Sequence, residues 1–193
     1  MRIIAGEFRG RPLKAPKGNT TRPTTDRIKE SMMSSLNSRT GGFEGLVVLD
    51  AFAGSGGLGL ETLSRGAASV LFCEQDRHAL DALTSNIATL KLSPLHARVR
   101  RGDVLKNVPL TAGPFDLVLL DPPYAYPAED VLAFLTSLHE GGALSPEVVV
   151  MYEHAASNKR VPEVFEPSFL EIVSSKKCGD ITVCILEMKQ GEK

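Results

Sequence analysis

Phe115-Asp116-Leu117-Val118-Leu119-Leu120-Asp121-Pro122-Pro123-Tyr124 is a short apolar run stopped by an acidic residue and two prolines. A run this brief and aliphatic predicts a buried parallel strand whose carboxyl end is Asp121. Ligands of open α/β sheets bind along that edge. Each proline fixes φ at about −65° and lacks an N–H, so the carbonyls there stay extended and unclaimed by a following helix. The corner becomes a rigid acceptor cluster. The Asp121 carboxylate and the Pro122 carbonyl suit the two hydrogens of a planar amino group, and Tyr124 offers a ring for stacking. An exocyclic amine of a nucleobase has that shape.

Working outward toward the N-terminus, Leu46-Val47-Val48-Leu49-Asp50 is a second continuous apolar run. It leads into Ala51-Phe52-Ala53-Gly54-Ser55-Gly56-Gly57-Leu58-Gly59-Leu60-Glu61, the strand, glycine-rich turn and helix of a nucleotide-binding α/β unit. Gly54 and Gly56 allow a sharp turn and close approach to a ligand, and Gly59 lets the helix pack near the strand. Val70-Leu71-Phe72-Cys73 predicts the next strand, ended by Glu74, which suits both hydroxyls of a ribose. A helix follows Asp76 with Leu80, Leu83, Ile87 and Leu90 on its core face. Val99 to Val104 predicts a short third strand with Asp103 placed to meet an adenine amine and Val104 against the ring. Acidic groups at Asp50, Glu74 and Asp103 thus surround the glycine turn.

Toward the C-terminus a helix is expected around Val131, Leu135 and Leu138, then a strand at Val148 to Tyr152 ended by Glu153. Phe169 to Ser175 and Ile181 to Glu187 flank the turn Cys178-Gly179-Asp180, which predicts an antiparallel hairpin closing a mostly parallel sheet. At the other end, residues 2 to 17 alternate apolar and charged positions around Gly6 and Gly10, as a short hairpin outside the sheet would. From Thr25-Asp26 a helix begins, with Ile28, Met32, Met33 and Leu36 inward and Arg27, Lys29 and Glu30 on its exposed side, closed by Gly41-Gly42. Arg22 to Asp26 forms a polar collar before it.

With 193 residues, 42% hydrophobic and 23% charged, the chain has enough material for one ordinary core without disulfides. Cys73, Cys178 and Cys184 are widely spaced and form no Cys-x-x-Cys pair, so neither a disulfide framework nor a zinc site is signalled and no metal is expected. No apolar run reaches membrane-spanning length and Met1 to Gly6 lacks a signal-peptide core, so a cytoplasmic protein is expected. Net charge is −1 but unevenly spread: residues 1–30 hold eight basic and three acidic side chains, the other residues 14 basic and 20 acidic. A basic arm on an acidic body points to local, salt-sensitive contact with a polyanion. Arg2, Arg9, Arg11, Lys14, Arg22 and Arg27 are the expected contacts. The chain is expected to divide into a basic extension, 1–42, and a main α/β domain, 43–193.

A dinucleotide would use the glycine turn for its pyrophosphate, yet no hydride-acceptor site or proton-donor pair accompanies it, and acidic groups on every side disfavour a polyphosphate. A nucleoside bearing a cationic centre fits better, and S-adenosylmethionine has both parts. With that donor, Asp50-Ala51-Phe52-Ala53-Gly54-Ser55-Gly56 resembles the first motif of Rossmann-like methyltransferases, and Asp121-Pro122-Pro123-Tyr124 is similar to their amino-methylating Asn/Asp-Pro-Pro-Tyr/Phe motif. More narrowly, Arg2 to Gly6, Arg22 to Arg27, Phe52 to Gly56 with Gly59-Leu60-Glu61, Ser64 to Ala67, and Asp121 to Tyr124 occur in the order seen in the RsmD family. The chain departs from that family's usual pattern at Ala51 and at Cys178.

The resemblance implies a class I S-adenosylmethionine-dependent α/β fold, a seven-stranded, mostly parallel sheet of order 3-2-1-4-5-7-6 with an N-terminal extension. It implies methylation of the N2 amine of a guanine in 16S ribosomal RNA, on the small subunit or its assembly intermediate. Asp121, Pro122 and Tyr124 would then be catalytic. Asp50, Phe52, Ala53, Gly54, Ser55, Gly56, Glu74, Gln75, Asp103, Val104 and Thr25 would hold the cofactor. A monomer is expected, since no exposed apolar stripe is left over. Two other readings share the motifs: an adenine-N6 methyltransferase of DNA or RNA, and a ribosome-assembly factor that binds RNA without turnover.

Overall fold

The apolar runs form seven strands: β1 (Val47–Asp50), β2 (Ser69–Glu74), β3 (Ala97–Arg101), β4 (Phe115–Leu120), β5 (Leu144–Ala155), β6 (Leu170–Cys178) and β7 (Ile181–Met188). A computed structural model, which describes residues 1–16 and 26–191, places them in one sheet of order β3-β2-β1-β4-β5-β7-β6. That is the expected order. The five strands from β3 to β5 run parallel, and β7 runs antiparallel between β5 and β6.

Strand periodicity sorts the side chains into two layers. Val48, Leu117, Leu119, Val149 and Met151 face a cluster shared with helices α1 (Asp26–Thr40), α2 (Gly59–Ser64) and α3 (Arg77–Thr89). Leu49, Val118, Leu120, Val148, Val150 and Tyr152 face α4 (Ala128–Glu140) and α5 (Val161–Phe165). Continuing each strand by the same period puts Asp50, Glu74, Asp121 and Glu153 on the first of these faces, at its carboxyl edge. The strands that carry them are buried on both sides, which is why they read as unbroken apolar runs.

The extension packs on that same face. Ile3 and Leu13 are buried with Met32, Met33 and Leu36 of α1. Glu61, fully buried in α2, accepts the N–H groups of Ile4 (2.9 Å) and Ala5 (3.0 Å). Gly6 adopts φ +82°, and a Cβ there would fall 1.7 Å from the Ser64 carbonyl oxygen, so only glycine permits this contact.

Several elements differ from expectation. The N-terminal hairpin is held by a single antiparallel bridge, Arg2 to Pro12, because Gly6, Gly10, Pro12 and Pro16 leave too little ladder for strands. Lys29, expected on the exposed side of α1, is only 2% exposed. Its ammonium lies 3.1 Å from Glu61 and donates to the Arg2 carbonyl, so an ion pair brought it inside. In α3 the buried side is Ala79, Ala82, Leu83 and Asn86, followed by buried Leu90 at its C-cap, with Leu80 half-buried. β3 ends at Arg101, before Asp103. β5 begins four residues before Val148 and runs two past Glu153, which is therefore inside the strand. Pro146 and Glu147 hide its start by interrupting the apolar pattern at exposed positions.

Candidate active site at the carboxyl edge of the sheet

β1 delivers Asp50 beneath the glycine turn. The side chain is 2% exposed and accepts the Gly59 N–H at 3.0 Å, tying the strand to the start of α2. Burial, with the Glu74 charge adding to it, outweighs that hydrogen bond and lifts the Asp50 carboxyl to about 7. A Cβ on Gly59 would press within 2.5 Å of the Phe72 ring, so glycine sets how closely helix and strand approach. At Gly54 (φ +54°) a Cβ would meet nothing within 4 Å, so space lies open above the turn. Gly56 differs: its Cβ would strike Leu83, so its smallness serves packing onto α3. Ala53 and Ser55 are buried, and Phe52 is half-buried against the opposite core layer.

β2 delivers Glu74, which accepts three backbone N–H groups, each at 2.7 Å: Gly54 on one oxygen, Gln75 and Asp76 on the other. A carboxylate has about four lone-pair sites, so one remains for a hydroxyl, and a second opens if Gly54 yields. Gln75 reaches across the cleft to donate to the Tyr126 hydroxyl at 3.2 Å, and the Tyr126 ring lies 6.0 Å from that of Phe52. These three residues wall the opening. Beyond β3, Asp103 accepts the Leu105 N–H at 3.1 Å and lies 3.5 Å from the Lys106 ammonium, while Val104 is 4% exposed within the core.

β4 delivers Asp121 and the proline corner. Pro122 is buried, whereas Tyr124 is 55% exposed and donates its hydroxyl to Glu153 Oε1 at 3.1 Å. β4 and β5 pair Leu120 with Tyr152, so the next positions along the two parallel strands are Asp121 and Glu153. Burial, with the neighbouring Glu153 and Asp50 charges adding to it, pushes the Asp121 carboxyl well above the usual carboxylate range.

Of the expected cofactor residues, Asp50 and Phe52 to Gly56 gather at the end of β1 and Glu74 and Gln75 at the end of β2, next to the acceptor corner of β4, whereas Asp103 and Val104 follow the end of β3. Of the expected RNA contacts, Arg2, Arg9, Arg11 and Lys14 share the N-terminal hairpin, where Arg2 is bridged to Pro12 and the Ile3 N–H donates to the Arg11 carbonyl. Arg2 pairs with Asp26 at 2.8 Å, and Arg27 is exposed on the first turn of α1. Lys14 donates to Ser85 Oγ on α3 at 2.7 Å. Arg11 lines a surface cavity of about 730 Å³ with Phe8, Lys91 and His96, where α2 and α3 end, and exposed Arg9 lies beside it in sequence. In parallel βαβ units helix C-termini sit at the far edge of the sheet from strand C-termini. Arg22 and Thr25, with the collar they belong to, lie outside the described residues.

Sequence reasoning gave no role to Tyr126 or Glu153. Tyr126 follows the proline corner by two residues, a spacing with no recognised meaning in isolation. Glu153 carried a readable signal, an acidic residue closing the apolar run beside the Asp121 strand, once those two strands are paired in parallel register.

A seven-stranded sheet of this order, with a glycine turn after its first strand and Asp-Pro-Pro-Tyr after its fourth, defines a Rossmann-like methyltransferase. Residues 1–187 match the family model described as Conserved hypothetical protein 95. The chain belongs to this family, that of ribosomal RNA small subunit methyltransferase D, or RsmD. It is 36% identical to the Escherichia coli K12 protein of that name, over 100% of this chain and 92% of the relative. With its Haemophilus influenzae counterpart it shares 40% identity over 79% of this chain and 78% of the relative. The solved structure of yhhF from Escherichia coli superposes with a TM-score of 0.82 at 33% identity, covering 98% of each chain.

Proposed function

We propose that this chain transfers a methyl group from S-adenosylmethionine to the N2 amine of a guanine in 16S ribosomal RNA, on the small subunit or an assembly intermediate. The observation that carries the reading is the Asp121-Pro122-Pro123-Tyr124 corner standing beside the Gly54 turn and Glu74 on one edge of the sheet. The names of the Escherichia coli and Haemophilus influenzae relatives favour small-subunit ribosomal RNA as substrate.

The residues present fit this cofactor. Open space above Gly54 admits a ligand against the turn, and Glu74 keeps acceptor capacity for a ribose. Asp50 holds the turn from below, Phe52 to Gly56 line it, and Gln75, Asp103 and Val104 border the adenine side. When bound, S-adenosylmethionine supplies an electrophilic methyl group. The chain's own part is to present the acceptor. A guanine drawn out of its RNA context stacks on Tyr124, while the Asp121 carboxyl and Pro122 carbonyl take the two amino hydrogens and aim the nitrogen lone pair. Partial neutralisation of charge developing on that nitrogen supplies the remainder of the catalysis.

The deciding experiment incubates the protein with S-adenosylmethionine and small-subunit particles or 16S RNA, digests the RNA and identifies the modified nucleoside by mass spectrometry. N2-methylguanosine is expected. Methyl on adenine N6 would overturn the acceptor, and cofactor binding without any methyl product would favour an assembly factor. Asp121→Ala should lower transfer about a thousand-fold while calorimetry finds cofactor affinity nearly intact; turnover close to that of the wild type would remove Asp121 from the acceptor role.

A further inference from the structure

Glu153 is an acidic side chain that the buried interior of a sheet does not accept without reason. It is 4% exposed; one carboxyl oxygen takes the Tyr124 hydroxyl, and the other, Oε2, is buried with no N–H or O–H donor. Beside it stands the Asp121 carboxyl, one register step beyond the Leu120–Tyr152 pair. Two carboxylates cannot hydrogen-bond each other, and a buried acceptor left unsatisfied is costly. One proton shared across the pair removes both difficulties.

We propose that Glu153 is a positioning residue that keeps a proton on Asp121, so that the Asp121 carboxyl turns its O–H inward to Glu153 and its carbonyl oxygen outward to the substrate amine, as an asparagine amide would. This deepens the amino-methylation reading and rests on it. The arrangement fixes the carboxyl plane, since one oxygen is anchored inward. It also fixes the stacking ring, because the same Glu153 holds the Tyr124 hydroxyl. The remaining negative charge sits on Glu153, behind the carboxyl, where it faces the charge that grows on the accepting nitrogen without itself competing for that nitrogen's hydrogens. Asp50 on β1 also faces Asp121 and disfavours its ionisation. On the β7 side Glu153 pairs with Val183, which brings no charge.

The test uses the full chain and two readouts. Infrared difference spectra of the ligand-free protein, wild type minus Asp121→Asn, should contain a protonated-carboxyl band at neutral pH. Its titration midpoint should fall by at least about one pH unit in Glu153→Gln, which removes the neighbouring charge and offers an N–H donor. Absence of the band, or a midpoint unmoved in Glu153→Gln, overturns the proposal. In turnover, Asp121→Asn should cost less than about ten-fold in kcat and lose the alkaline limb of the pH profile, whereas Asp121→Ala should cost about a thousand-fold. If Asp121→Asn is as inactive as Asp121→Ala with cofactor affinity intact, an ionised carboxylate is required and the proposal fails. A wild-type protein that methylates no amine would sink the functional reading instead, and the infrared titration would still report on the pair.

Discussion

At the scale of single residues, the site combines groups that burial has made reluctant to ionise. Asp50 is the simplest case. Its carboxyl, at about 7 in the folded protein against an ordinary 3.8, binds a proton that the unfolded chain has already released between those two values. Stability from this group is therefore fully present below pH 4, falls as pH rises through the window, and is lost above 7. Asp50→Asn keeps an acceptor for the Gly59 N–H and cannot ionise. It should be more stable than wild type at pH 8, by up to about 4 kcal/mol given how far burial has raised the carboxyl, with the difference shrinking toward pH 4. Denaturation midpoints across pH 4 to 8 measure this, and parallel curves for the two proteins would refute it. The proline corner was legible because prolines after an apolar run leave few alternatives. Glu153 was not, because its meaning lies in a neighbour 32 positions away along the chain, across a strand pairing that single-strand patterns do not reveal.

Among elements, α2 is the junction. In six residues it presents Glu61 to the arm and to α1, and Ser64 to the arm alone. Glu61 receives Ile4, Ala5, Lys29 and Arg65, and Ser64 Oγ receives the Phe8 N–H and donates to the Ala5 carbonyl. Asn86 of α3 adds a second tie, holding Lys14 by both backbone groups and the Ser55 carbonyl of the glycine turn. Arm and cofactor turn are thus joined through one amide. Lys29→Met would leave the Glu61 charge short of a partner and the Arg2 carbonyl without its donor. The expected cost is roughly 3–5 kcal/mol in urea denaturation, with faster hydrogen exchange at Ile4 and Ala5; a cost below about 1 kcal/mol would mean that Arg65 alone suffices. Most elements were readable for plain reasons: β1, β2 and β4 are buried on both faces, and Asp76 caps α3 by accepting the Ala79 N–H. Two of the misreadings share one cause. Lys29 and the opening of β5 carry polar residues whose place is decided by distant partners, which no local period encodes.

Considered whole, the molecule gathers basic residues on its N-terminal hairpin: Arg2 is bridged to Pro12, the Ile3 N–H donates to the Arg11 carbonyl, and Lys14 follows two residues after Pro12, with Arg2 tied to the first turn of α1 and Lys14 to Ser85 of α3. Neutralising Arg9, Arg11 and Lys14 together should weaken RNA binding and reduce the salt slope by about 0.7–0.9 for each phosphate that these side chains had neutralised. An unaltered slope in a filter-binding titration would confine the RNA to the carboxyl edge. Among the described residues no helix is long and apolar enough to cross a membrane and no cluster of side chains has metal-binding spacing.

The arm is also made before the residues on which it docks. Ile4 waits for Glu61, 57 positions later, and Lys14 for Asn86, 72 positions later. At roughly 5–20 residues per second of synthesis, several seconds separate the emergence of the arm from that of its seat. During that interval a cationic peptide with no sheet to rest on hangs beside the exit of the ribosome, and its burial of Ile3 and Leu13 becomes one of the events that mark completion of the nascent domain's first half.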